Sequence, residues 1–299
     1  MKSTTKAHIA VLSTNLFFAS NYSMIKYISP SLVKPYALNV VRVIISLVLF
    51  WLLWLLGKTK AGIQKEDIGR FFLCGFTGVA INQMLFIKGL TLTSPIHASL
   101  LILCTPLLIT IIAFWLLKEK ITVANALGIA LGIGGSLVLI MAKENTVHAA
   151  NYLAGDILIV LCAFFYAFYF ILVKPLMEKY SSVHVIRWVF IFGAIMIMPF
   201  GWGQFLEIQW QQFEWSHIAS LGFIVIAGTF LAYYFNVYGI RHLGAGATGS
   251  YIYTQPVFAA IIAILFLHEH LTIQKTLAGV MIFSGVFLVS RKTPPVIEE

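Results

Sequence analysis

Apolar residues run along this chain in stretches of about twenty, parted by short polar breaks. A bilayer core of about 30 Å is crossed by a helix of about 20 apolar residues. On that basis the pattern predicts ten transmembrane helices, near residues 8–28, 36–56, 69–89, 95–117, 122–142, 153–174, 184–203, 217–238, 245–267 and 272–290. The first follows Lys2 and Lys6, as a signal peptide would, but Ser13, Thr14 and Asn15 interrupt it and no small-x-small cleavage site follows, so it is read as a span. The linker from Lys143 to Ala154 divides the spans into two sets of five. The loop from Gly203 to Ser216, with Trp202, Trp210 and Trp215 in and beside it, has the composition of an interfacial aromatic belt.

The two sets repeat one another. Displacing the chain on itself by 150 residues brings Gly78 onto Gly228, Pro106 onto Pro256, Glu119 onto Glu269, Thr122 onto Thr272 and Gly135 onto Gly285. Matches among Leu, Ile and Ala are cheap in so apolar a chain, whereas Pro and Gly carry special backbone roles and Glu is scarce here. The repeats span 8–142 and 153–290. Five spans is an odd number, so the second repeat enters the membrane upside down relative to the first. The sequence therefore predicts an all-α polytopic membrane protein of two inverted five-helix repeats.

Composition agrees with that reading and excludes others. Of 299 residues 60% are hydrophobic and 10% charged, and the mean hydropathy is +0.92; a soluble domain has about half apolar and about a quarter charged residues. The net charge of +9 does not point to nucleic acid, because the basic residues fall in short clusters between apolar runs. One side of the membrane receives Lys2, Lys6, the group Lys58, Lys60, Lys65 and Arg70, then Lys118, Lys120, Lys174, Lys179, Arg241, Arg291 and Lys292. The other receives Lys26, Lys34, Lys88, Lys143 and Lys275. Both termini are thus expected in the cytoplasm. Glu119 lies between Lys118 and Lys120 on the expected inside, whereas Glu269 lies between His268 and His270 on the expected outside, where fixed positive charge is disfavoured. Cys74, Cys104 and Cys162 sit inside apolar runs without metal-ligand spacing and read as packing residues.

Pro106 and Pro256 fall near the middle of the fourth and ninth spans. A mid-helix proline frees the carbonyl four residues earlier, here at Ile102 and Ile252, and kinks the helix. These prolines are expected to bend their helices around a cavity at the bilayer midplane and to mark moving walls. Polar and aromatic residues recur at helical spacing in other spans: Thr14, Phe17, Phe18 and Asn21 in the first, Asn82 and Gln83 in the third, and Tyr166 and Tyr169 in the sixth. Thr229, Tyr233 and Asn236 follow in the eighth, and Tyr251 and Gln255 in the ninth. Singly each could serve interhelical hydrogen bonding at about 1 kcal/mol. As a set drawn from both repeats they predict a neutral, amide-bearing and aromatic solute site of Asn21, Asn82, Gln83, Tyr166, Tyr169, Tyr233, Asn236, Tyr251 and Gln255.

Arg42, about two turns inside the second span, either meets a solute carboxylate or extends to the outer interface, the latter being the expectation. Glu119 and Glu269 are expected to tie helix ends to neighbours. No Asp or Glu lies mid-span, Asp156 being near a helix start, so a membrane-buried proton-relay carboxylate is not expected. The run His268-Glu269-His270 lacks the four-residue spacing of a helical zinc site, and neither a phosphate loop nor a nucleophile elbow occurs. No metal, cofactor or catalytic residue is predicted.

At these positions the chain resembles the EamA-type branch of the drug/metabolite transporter superfamily. In each half stand a mid-span proline, a Glu thirteen residues on, a Thr three beyond it, and a final helix bearing Gly128 and Gly135 or Gly279 and Gly285. Asn21 before Met24 and Lys26 is similar to that family's first-helix motif, although Ala19 and Ser20 stand where Trp-Gly is frequent, and Ala278 stands at the equivalent of Gly128. The resemblance implies a ten-helix carrier that moves small organic metabolites, amino acids among them and often outward, through a central cavity by alternating access. A polytopic membrane enzyme and a lipid-handling membrane protein remain open at this point. The partners expected are a small organic solute and the lipid bilayer; oligomeric state is left open, since the spacing of Gly128 and Gly132 could pack helices within one chain or between two.

Overall fold

The computed structural model describes residues 3–56, 62–117, 123–141, 151–243, 248, 251–268 and 270–290. Glu119 and Glu269 lie outside the described residues. Every regular element among those described is helical. Among the described residues six segments are apolar and long enough to cross a membrane: Pro35–Leu56, Lys65–Leu92, Pro95–Ile112, Tyr152–Lys179, Ser182–Leu206 and Trp215–Leu243. Two shorter apolar helices cover Val123–Val138 and Tyr251–Leu267. Helix α1 (Ser3–Ile28) is as long but less apolar, because Thr14, Asn15 and Asn21 are on it, all buried against other helices.

The remaining helices are α2 (Pro35–Leu56), α3 (Ile68–Gly75), α4 (Ile81–Leu92), α5 (Pro95–Ile102), α6 (Cys104–Leu117) and α7 (Val123–Met141) in the first half. The second half has α8 (Tyr152–Lys179), α9 (Ser182–Leu206), α10 (Trp215–Val225), α11 (Ala232–Leu243), α12 (Thr254–Leu267) and α13 (Ile273–Ser290). Two predicted spans are interrupted where simple periodicity expects continuous helix. A π-helical turn, Phe76–Ala80, joins α3 to α4, and another, Ile226–Leu231, joins α10 to α11. They stand one repeat interval apart, with Gly78 in the first and Gly228 in the second. The proline spans are broken as well: Leu103 separates α5 from α6, and a 3-10 turn, Tyr251–Tyr253, precedes α12. Both breaks lie just before the proline, where its ring removes a donor and crowds the preceding turn.

Helix packing follows the same duplication. Helix α4 packs on α8 and α1 on α11; α6 packs on α8 and α1 on α12; α2 pairs with α9 and α7 with α13. Exchanging each predicted span with the one five later turns this set of pairs into itself. Two apolar cores result. One gathers Tyr22, Ile25 and Ile28 of α1 with Leu38, Leu90, Ile96 and Leu101; the other gathers Phe50, Phe71, Val173, Phe190 and Val237. Outside them, Leu52, Leu55, Phe72, Ile261, Leu265 and Phe266 are exposed on the helix surfaces, as a chain surrounded by acyl tails requires.

Small residues set the closest approach. A methyl group on Gly285 of α13 would lie 2.5 Å from the Gly128 carbonyl oxygen and 2.8 Å from the Gly132 nitrogen of α7. The Gly128 and Gly132 stripe therefore packs helices within one chain, which answers the question its spacing raised.

Candidate functional site

A cavity of about 90 Å3 lies where helices of the two halves converge. From the first half come Thr14, Asn15, Phe18, Asn21 and Tyr22 of α1, Arg42 of α2, Asn82, Gln83 and Phe86 of α4, and Ile102 at the end of α5. From the second come Cys162, Tyr166 and Phe170 of α8, Tyr233 and Asn236 of α11, then Thr248, Ile252 and Gln255. Ile102 and Ile252 are the residues whose carbonyls Pro106 and Pro256 release, so both proline breaks open onto this space.

Of the nine residues expected to line a solute site, the structure brings together seven: Asn21, Asn82, Gln83, Tyr166, Tyr233, Asn236 and Gln255. Tyr169 and Tyr251 are elsewhere. The Tyr169 ring stacks on Tyr166 with centroids 5.8 Å apart and fills the gap that Gly78 leaves beside the π turn, within the apolar core. Tyr251 stands in the 3-10 turn, where a tighter helix removes the four-residue alignment with Gln255; its hydroxyl lies 2.8 Å from His8 Nδ1 at the start of α1.

The wall is held by hydrogen bonds that cross between helices. Gln83 Nε2 donates to the Tyr233 hydroxyl at 3.1 Å, and that hydroxyl donates to the Gly78 carbonyl at 3.3 Å. Asn236 Nδ2 donates to the Tyr166 hydroxyl at 3.2 Å. Asn82 Nδ2 donates to the Cys162 carbonyl at 3.0 Å. Gln255 Nε2 donates to Asn15 Oδ1 at 2.7 Å, and its Oε1 accepts from Tyr22 at 3.3 Å. Sequence reasoning misses Asn15 and Tyr22: Asn15 reads there only as an interruption of the first span, and Tyr22 is not singled out at all.

Arg42 departs most from expectation. It does not extend to an interface. Its side chain is 3% exposed and Nε donates to Thr229 Oγ1 at 2.9 Å. Thr229 is available because the π turn re-aims it: its own hydroxyl donates five residues back, to the Ile224 carbonyl. Several residues of the cavity wall carry buried atoms without a partner, among them Arg42 Nη1, Asn21 Oδ1, Gln83 Oε1 and Asn236 Oδ1.

Away from the cavity stand three further charged side chains, of which Asp156 and Arg187 are buried. Asp156, expected near a helix end, is sealed at 0% exposure, accepting from Thr93 at 2.5 Å and lying 3.0 Å from His97 Nδ1. Lys26 closes the neighbouring end of α4 by donating to the carbonyls of Leu90, Thr91 and Thr93. Arg187 lies over the rings of Trp54 and Trp51, 3.9 and 4.5 Å from their centroids, a cation–π arrangement that keeps a buried charge among aromatics. Among the described residues no group of three or more His, Cys, Asp or Glu could hold a metal ion.

Comparison with known proteins points one way. The profile of the EamA-like transporter family matches residues 5–141 and 153–291. The chain is similar to the uncharacterized transporter YetK of Bacillus subtilis, 26% identical over 84% of this chain and 77% of that protein. It is also similar to a probable terminal-alkyne amino-acid exporter of Streptantibioticus cattleyicolor, 25% identical over 77% of this chain and 75% of that one. One solved crystal structure superposes with a TM-score of 0.59 at 18% identity, covering 96% of this chain and 95% of the other, a likeness of fold.

Proposed function

The chain belongs to the EamA-like transporter family, a membrane transporter and not an enzyme, and from that premise we propose a secondary carrier of small organic solutes, amino acids and related amphipathic molecules first among them. Ten spans in two inverted repeats, 8–142 and 153–290, cross a bacterial inner membrane with both termini cytoplasmic. The solute occupies the central cavity and leaves the cell by alternating access. Asn21, Asn82, Gln83, Tyr166, Tyr233, Asn236 and Gln255 contact it.

The observation that carries this reading is the cavity's wall, drawn from both halves and mixing amides with aromatic rings. Such a wall suits a molecule with one polar and one apolar end. The helix breaks at Leu103 and Tyr253 supply the places where the fourth and ninth spans bend as access alternates between the two sides. The exporter name of one relative is consistent with amino-acid solutes and outward transport.

Purified protein in liposomes, loaded in turn with each standard L-amino acid, tests this by counterflow. Protein-dependent flux is expected for at least one, with strong loss on Asn236→Ala or Gln255→Ala while membrane insertion is unchanged. Flux that is indifferent to both substitutions would overturn the assignment of the cavity as the solute site.

A further inference from the structure

We propose that Arg42 is the anchor for a carboxylate on the transported solute, an inference that rests on the carrier reading above and names which chemical group the cavity selects. Arg42 is a permanently charged group buried at 3% exposure. A buried guanidinium is normally met by an acid, because an unpaired charge in a low-dielectric interior is costly. Among the described residues that line this cavity there is no Asp or Glu, and Arg42 is the charged one.

Its orientation is fixed without a counter-charge. Thr229 is itself fully buried, spends its hydroxyl proton on the Ile224 carbonyl, and so presents its oxygen to Arg42 Nε. That bond uses the inner edge of the guanidinium and leaves Nη1 without a partner. A planar fork held at one corner with a donor to spare is suited to a carboxylate oxygen, through the charge-assisted bond that arginine makes best.

The amides around the same space supply the complement. Gln83 and Asn236 give their nitrogens to the Tyr233 and Tyr166 hydroxyls, which fixes the amide orientation and leaves Gln83 Oε1 and Asn236 Oδ1 unmet. Asn21 Oδ1 is likewise unmet. Three spare acceptors and one spare cationic donor are the inverse of a molecule with an ammonium and a carboxylate. A solute with both groups would cancel the charge of Arg42 and satisfy the amides together, while the rings of Phe18, Phe86 and Phe170 receive its apolar part.

The test compares, in the reconstituted protein, the best-transported amino acid with its primary amide and its decarboxylated amine, the competitor concentration needed to halve counterflow being measured for each. Wild-type protein is expected to bind the amide and the amine at least tenfold more weakly than the parent acid, the scale of one lost charge-assisted hydrogen bond. Arg42→Gln should weaken the acid by a similar factor, leave the amide within about twofold, and so erase the preference, with Arg42→Lys recovering part of it. Equal competition by acid, amide and amine in wild-type protein overturns the inference even if Arg42→Gln does not fold. So does an unchanged preference in Arg42→Gln, and in both cases the carrier reading survives because flux is still observed. Absence of flux for every amino acid in the wild-type protein overturns both.

Discussion

The side-chain amide of Gln83 donates to the hydroxyl of Tyr233 at 3.1 Å, and the two residues are separated by 150 positions. That separation is the interval by which the sequence repeats. They are therefore the same position in the two halves, and they meet where the halves are related to one another. Tyr233 passes the contact on to the Gly78 carbonyl in the first π turn, so one side of the cavity is tied across the junction. Any motion that slides one half against the other has to lengthen or exchange these bonds.

Gln83 and Tyr233 should consequently behave as a unit. In a double-mutant cycle of Gln83→Leu and Tyr233→Phe, the coupling in unfolding free energy is expected at about 0.6 kcal/mol and no more than about 1.7 kcal/mol, the range for hydrogen bonds between membrane helices. Solute flux in the double variant should fall no further than in the worse single one. Strict additivity in both readouts would show that the bond joins nothing of functional consequence.

The second π turn makes a prediction that runs against helix propensity. Replacing a mid-helix glycine by alanine ordinarily stabilises by up to about 1 kcal/mol. A methyl group on Gly228, however, would stand 2.5 Å from Asn21 Oδ1 and 2.6 Å from its Cγ. Since Asn21 lines the cavity, Gly228→Ala should lower the melting temperature in detergent, by the 1–3 kcal/mol typical of overpacking, and weaken solute binding as well. An alanine variant that melts at or above wild type would show that Asn21 can swing clear.

Much of this arrangement is visible in the residues before any coordinates. The repeat, the prolines and the amide and aromatic faces all follow from scarce residues at fixed intervals. The sites of failure are those where regular helix gives way. Periodicity at 3.6 residues per turn places Tyr251 beside Gln255, but a 3-10 turn rotates it toward His8. The same assumption hides the π turn that delivers Thr229 to Arg42, and so the expectation that Arg42 extends to an interface fails. Asp156 and His97 are 59 residues apart in sequence, in different halves, and nothing in either stretch alone signals that one seals the other. Tyr169 shares a helical face with Tyr166, yet the missing side chain of Gly78 admits it to the core instead.

The Asp156 cluster should be a structural keystone. Its carboxylate meets Thr93 and His97 at a junction of α4, α5 and α8, with none of its surface exposed. Removing one member of a buried charged network costs about 3–5 kcal/mol. Asp156→Ala is expected to shift the detergent melting curve by that order and to reduce folded yield, while Asp156→Asn, which keeps one acceptor oxygen, should cost visibly less. Equal melting of Asp156→Ala and wild type would mean that the surrounding helices close the junction without it.

The absence of acids among the described cavity-lining residues bears on energetics. A carrier driven by protons needs a group that binds a proton in one state and releases it in the other, and an acid or histidine in contact with the solute path is the usual means. Asp156 and His97, buried together, are not among the residues that line this cavity. Counterflow of the transported amino acid should therefore proceed at the same rate with and without a proton ionophore, and an imposed pH gradient should not concentrate solute. If flux collapses with the gradient, the Asp156 and His97 pair becomes the coupling site to examine, and Asp156→Asn would then have to abolish gradient-driven uptake while sparing exchange. Flux indifferent to the ionophore in wild-type protein would instead leave facilitated diffusion or exchange, with Arg42 and the amides supplying recognition.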